Sequence, residues 1–207
     1  MRLLIVAGFS LAALAVVPFV AFEGAAEEEA AATPEYVGSN ACKKCHFTEH
    51  RYWKKTVKID TLASLRPTTE ADDKALFDKK VANELDPATD YSKDVKCLPC
   101  HTTGFGKKGG YPADGNADAD MEKARGQVGC ESCHGPGSQY VEYKKDEIAK
   151  DATAKFTFEG LAKFGLIQPD EAVCVTCHND KVVTRGPEPF DFDKMKVLVH
   201  MKKKTKK

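Results

Sequence analysis

A mainly α-helical fold with much irregular chain, its core built on covalently attached cofactors, is predicted by three observations on this 207-residue sequence. First, C-x-x-C-H occurs as Cys42-Lys-Lys-Cys45-His46, Cys97-Leu-Pro-Cys100-His101, Cys130-Glu-Ser-Cys133-His134 and Cys174-Val-Thr-Cys177-His178, and these four motifs consume all 8 cysteines. Second, apolar residues recur at helical spacing in short stretches, and no run alternates strongly enough to demand a strand. Third, the chain is 30% charged, too polar to build a sizeable core from side chains around four cofactor sites.

The motif spacing points to haem c. Two thiols two residues apart reach the two vinyl groups of one macrocycle, and the histidine that follows turns its imidazole onto the iron. Each motif thus supplies two tethers, Cys42 and Cys45, Cys97 and Cys100, Cys130 and Cys133, or Cys174 and Cys177. Each also supplies one proximal ligand, His46, His101, His134 or His178. Shuffling this composition would give on the order of 0.01 such pentapeptides, so the repetition is not noise. Structural zinc would combine two cysteine pairs per ion without requiring a histidine after each. A thioredoxin-type site would use one pair in a βαβ unit. The reading is a tetrahaem c-type cytochrome.

From the N-terminus onward, Arg2 followed by an uncharged apolar run from Leu3 to Phe22 and by Gly24-Ala25-Ala26 reads as an export signal over residues 1–26. That run is long enough to serve as a retained anchor, but Pro18 and the small residues after it favour removal. The expected location is the periplasm, in soluble rather than membrane-tethered form. Residues 27–35 are a linker poor in bulky apolar side chains, 36–200 form the tetrahaem domain, and 201–207 are a basic tail suited to an acidic redox partner.

Within the domain, Ser39 or Asn40 is expected to cap a helix running through the first motif to Trp53, with Phe47, Tyr52 and Trp53 available to pack on porphyrin. Thr69 is expected to cap a second helix with Phe77, Val81 and Leu85 at four-residue spacing, ending just before Pro87. Weaker helical candidates are 139–150, 158–164 and 193–201. Gly104-x-Gly106-x-x-Gly109 formally matches a dinucleotide fingerprint, but it follows a C-x-x-C-H motif instead of a strand and reads as a turn-rich loop. Formal net charge is +0, and the few clustered lysines lack interleaved aromatics, so nucleic acid has no support as a partner.

Beyond the motifs, several segments carry a resemblance: Trp53-Lys-Lys-Thr56; Leu85-Asp-Pro-Ala-Thr-Asp-Tyr91 and Gly104-Phe-Gly-Lys-Lys-Gly-Gly-Tyr111; Val128-Gly-Cys-Glu-Ser-Cys-His-Gly-Pro-Gly137; and Phe190-Asp-Phe-Asp-Lys-Met195. They resemble the cytochrome c-554 family of ammonia-oxidising bacteria, from about Tyr36 to His200. The resemblance implies a mainly helical fold with haems packed edge to edge and in stacked pairs. It implies electron transfer from hydroxylamine oxidation towards the respiratory chain, between a hydroxylamine-oxidising enzyme and a membrane or small soluble cytochrome. It also implies a five-coordinate second haem, here the one of His101, with two histidines on each of the other irons.

This chain departs from that pattern in its distal ligands. Its 6 histidines less four proximal ones leave His50 and His200. Where the resemblance places distal histidines, the chain has Lys58 and Lys144. His200 is the expected distal ligand of the third haem. His50, four residues after His46 and on the same helix face, is a second candidate for a neighbouring iron. Lys58 and Lys144 are weaker candidates, since lysine binds iron only after losing its proton, and Met121, Met195 and Met201 are further potential ligands. The leading function is an electron carrier in nitrogen metabolism. The alternative is an enzyme acting on a small nitrogen species such as nitric oxide at a five-coordinate iron, for which no catalytic acid–base set is evident.

Overall fold

The structure, a computed structural model, describes residues 33–179 and 190–199, and the chain separates into a unit Met1–Ala32 and a unit Thr33–Lys207. The expected export signal, most of the linker, His200, Met201 and the basic tail lie outside the described residues.

The second unit is a succession of short helices: α1 (Ser39–Cys42), α2 (Phe47–Trp53), α3 (Lys74–Ala82), α4 (Leu98–His101), α5 (Ala119–Arg125), α6 (Cys130–His134), α7 (Ser138–Lys150), α8 (Phe158–Ala162), α9 (Glu171–Val175) and α10 (Phe192–Lys196). Two 3₁₀ turns, Val57–Asp60 and Ala63–Leu65, lie between α2 and α3. No strand occurs among the described residues. Helices this brief are unstable alone, and side-chain caps fix where several begin. Asp73, Asp118, Thr157, Asp170 and Asp191 each accept a backbone N–H three residues on.

Two expected helices start elsewhere. The first is broken between Cys42 and Phe47, and neither Ser39 nor Asn40 caps it: Gly38 occupies that position without a side-chain bond. The Ser39 hydroxyl instead accepts the Cys130 N–H at 3.1 Å, joining the first motif to the third. The second starts at Lys74 behind Asp73, because Thr69 uses its hydroxyl to accept the Asp72 N–H at 3.2 Å in the preceding turn. It stops at Ala82, short of Pro87, because the chain turns through Glu84 at φ 58°. Its apolar spacing is not its buried face: Val81 is exposed and Lys80 is buried, with its ammonium on the Arg66 carbonyl. The three weaker candidates correspond to α7, α8 and α10.

The apolar core is small. Leu62, Leu65, Leu98 and Tyr111 form its cluster, with Tyr91, Cys97, Phe105 and Ala117 packed against it. The loop after α4 wraps this cluster through tight turns. Gly104, Gly106 and Gly109 have φ between 66° and 72°, and a Cβ on Gly110 would meet the Gly104 carbonyl. Arg125 ties this loop to the N-terminal segment, donating to the carbonyls of Gly109 at 2.7 Å and Tyr36 at 2.8 Å. The expectation of a turn-rich loop holds here.

Glu131, between the cysteines of the third motif, is 1% exposed. Its carboxylate accepts three backbone N–H groups, from Val37 at 2.8 Å and Gly137 at 2.7 Å on Oε1 and from Gly38 at 2.6 Å on Oε2. One side chain thereby fixes the entry to α1, α6 and the start of α7 relative to one another. Trp53 adds a second strap, donating from Nε1 to the Val128 carbonyl at 2.9 Å.

Candidate haem sites

Each motif folds as a single helical turn. In the first and fourth, the N–H groups of the second cysteine and the histidine return to the carbonyl of the first cysteine, at 3.3 and 2.9 Å from Cys42 and at 3.2 and 2.9 Å from Cys174. Cys130 to His134 are α6 itself, and α4 carries Pro99 in its first turn, where no intrahelical donor is lost. Residues i, i+3 and i+4 of a helical turn share a face, so each motif presents both thiols and its imidazole to one side.

Two of the imidazoles are held in the tautomer that iron requires. His101 Nδ1 lies 2.7 Å from the Thr61 carbonyl, while the Thr61 hydroxyl donates to the His101 carbonyl at 2.8 Å and accepts the Val128 N–H at 3.1 Å. His134 Nδ1 lies 3.3 Å from the Ile167 carbonyl. A histidine whose Nδ1–H is given to a carbonyl has Nε2 bare and directed, as in metal-ligating histidines. Burial pushes the His101 pKa down, against the Thr61 carbonyl, and so favours the neutral ring. His178 stacks on Phe190 with ring centroids 4.9 Å apart.

The motifs meet out of chain order. The thiols of Cys42 and Cys130 lie near enough to perturb each other, Cys42 pushed up and Cys130 down, and those of Cys100 and Cys177 do the same, Cys100 raised and Cys177 lowered. The first motif therefore lies near the third and the second near the fourth, and Cys133 of the third also feels Cys174 and Cys177 of the fourth. Burial raises the remaining thiols Cys97, Cys133 and Cys174. All eight cysteines are free, and no three His, Cys, Asp or Glu side chains converge as a metal-ion clamp among the described residues.

A cavity of about 390 Å³ opens over the first and third motifs, lined by Cys42, Cys45, His46, His50, Cys130, His134, Tyr140, Lys144, Phe156, Phe158 and Leu161. Its volume lies within the range of cofactor sites. His50 is 4% exposed, its ring 5.3 Å from that of Trp53, and its Nε2 is buried without a partner. Lys144 reaches the same cavity from α7, with its ammonium 5.3 Å from the centre of the Phe156 ring. Lys58 is half-buried elsewhere, where its charge bears on the thiols of Cys133 and Cys174. Met195 is exposed on α10. The free thiols, the carbonyl-held imidazoles and the buried orphan nitrogen beside a cavity suit haem.

The sequence did not reveal the cross-motif pairing, the Thr61 and Ile167 carbonyls that orient the rings, or the place of Glu131. Only the last left a sign, an acidic residue inside a C-x-x-C flanked by glycines.

The fold and these motifs define a multihaem c-type cytochrome. The sequence model of the family described as "Cytochrome c554 and c-prime" matches residues 41–135. Cytochrome c-554 of Nitrosomonas europaea is 35% identical over 180 residues, spanning 86% of this chain and 69% of that protein. The reduced-state structure of cytochrome c554 from Nitrosomonas europaea superposes with a TM-score of 0.61 at 31% identity, over 79% of this chain and 82% of that one. The chain belongs to the cytochrome c-554 family: it is a c-type cytochrome electron carrier with four covalently bound haem c groups.

Proposed function

We propose that this chain is a periplasmic carrier that accepts electrons released in hydroxylamine oxidation and delivers them to a membrane or small soluble cytochrome of a respiratory chain. The observation that supports a carrier best is the meeting of the first motif with the third and of the second with the fourth. Together with the nearness of Cys133 to Cys174 and Cys177, it links the four sites into one array. Haem supplies the one-electron chemistry when bound, and the chain supplies spacing, ligation and exclusion of solvent.

In this reading Cys42 and Cys45, Cys97 and Cys100, Cys130 and Cys133, and Cys174 and Cys177 form the thioether tethers, and His46, His101, His134 and His178 are the proximal ligands. Thr61 and Ile167 hold the rings of His101 and His134. His200 is the distal ligand of the third haem, as the resemblance implies. No helix among the described residues is long and apolar enough to cross a membrane. The periplasmic assignment rests on the N-terminal segment and on the haem motifs, whose thioether chemistry takes place outside the bacterial cytoplasm.

The test is expression of the full chain with haem-attachment machinery, followed by mass spectrometry and reduction by a hydroxylamine-oxidising enzyme plus hydroxylamine. Four haem masses and rapid reduction that slows with added salt support the carrier. Fewer haems, or no electron uptake at low salt, refute it.

A further inference from the structure

The cavity over the first motif has an uneven set of walls. One carries Cys42, Cys45 and His46, a second carries Cys130 and His134, and the rest come from α2, α7 and α8 with the Phe156 segment between the last two. A haem tethered at the first motif needs a sixth donor from a wall other than that of His46. His50 cannot serve that iron, because its backbone lies one turn from that of His46, the His50 N–H donating to the His46 carbonyl at 2.9 Å, too close for two imidazoles to approach opposite faces of one macrocycle. His134 is the proximal ligand of the third motif, with its Nδ1 on the Ile167 carbonyl. Tyr140 donates its hydroxyl to the Gly135 carbonyl at 3.2 Å.

Of the other charged lining residues, Lys44 and Lys145 are exposed and Glu49 sits beside His50 on α2, which leaves Lys144, half-buried on α7. Its Nζ lies over the face of Phe156, 5.3 Å from the ring centre. An ammonium has donors and no lone pair, so it can bond to an iron-bound anion but cannot bind iron.

Resting on the reading that the first motif holds a haem, we propose that this haem keeps its sixth position open to a small anionic nitrogen or oxygen donor. Lys144 acts there as the hydrogen-bonding cation of the distal wall. The site is separate from any opening at the haem of His101, because the cavity contains no residue of the second motif. Its ligands are those that bind ferric haem and accept a hydrogen bond, with azide as the probe.

The experiment compares the ferric holoprotein with Lys144→Leu and Lys144→His by electron paramagnetic resonance and magnetic circular dichroism, with azide titrations. Haem counts are made on each protein and on a Cys42→Ala/Cys45→Ala control. Lys144→Leu should keep the wild-type number of high-spin haems and bind azide about tenfold more weakly at one site, the loss of one charged hydrogen bond. Lys144→His should convert one high-spin haem to a low-spin form with two imidazoles and abolish azide binding there. A new high-spin haem in Lys144→Leu would make the lysine a ligand and overturn the proposal. A spectrum of Lys144→His identical to wild type would overturn it as well. Failure of the cysteine control to lose one haem would instead refute attachment at the first motif, whatever the spin states.

Discussion

Replacing Glu131 by glutamine should destabilise the holoprotein strongly, although the change alters only one group of the side chain. Three backbone donors converge on this carboxylate, two on Oε1 and one on Oε2. A glutamine can keep its carbonyl oxygen on Val37 and Gly137, but its amide N–H₂ must then face the Gly38 N–H, which is a donor against a donor. A hydrogen bond to a charged group contributes about 1.5–3 kcal/mol, and an unpaired buried donor costs about 1–3 kcal/mol. Some of each is lost, so about 2–4 kcal/mol is expected. At about 2–4 °C per kcal/mol for a chain of this size, the melting temperature should fall by about 5–15 °C. The assay is a thermal melt followed in parallel by far-ultraviolet circular dichroism and the Soret band, with Glu142→Gln on exposed α7 as the control. Because Glu131 joins α1 to α6, the Soret change should precede or accompany helix loss. A melting temperature within 1 °C of wild type would refute the clamp.

Other perturbations have separate readouts. Gly110→Ala places a methyl group against the Gly104 carbonyl and should cost about 1–3 kcal/mol in urea unfolding. Arg125→Met leaves the Gly109 and Tyr36 carbonyls unpaired and should cost about 2–4 kcal/mol, and Arg125→Lys should recover little because an ammonium cannot span both. Burial, then the charges of Lys54 and Lys43, push the His50 pKa down. The unfolded chain therefore takes up a proton there near pH 6.5 before the folded chain does, and stability held above that pH falls as acidity increases. His50→Gln should flatten the loss of stability between about pH 6.5 and pH 5, measured by urea titration at each pH, and an unchanged slope would show that His50 does not titrate differently in the two states.

Much of this protein was legible in its motifs, because C-x-x-C-H fixes a covalent chemistry that does not depend on tertiary context. Helix positions were less legible where a capping side chain had a competing partner. Ser39 had the composition of a cap but is used across the chain by Cys130, and Thr69 turns the backbone one step before Asp73 takes the role. The α3 spacing misled for a related reason. With so small a side-chain core, an apolar stripe such as Phe77 and Val81 need not face inward, and the buried position went to a lysine that reaches a loop carbonyl. Periodicity reports a buried face only when side chains are what buries it.

The out-of-order pairing of motifs constrains how the chain reaches its native state. Contacts between the first and third motifs, and between the second and fourth, close long loops that cross one another in sequence. Long-range closures cost chain entropy before any contact offsets it. The apolar residues buried among those described are Trp53, Leu62, Leu65, Leu98, Tyr111, Tyr140 and Leu161, too few to drive these closures alone. The macrocycles supply the missing apolar area, and each is tethered locally, within five residues, before any distant partner is found. Covalent attachment thus turns a non-local folding problem into the docking of four pre-formed units. The polar straps through Glu131, Thr61 and Arg125 then select which units meet.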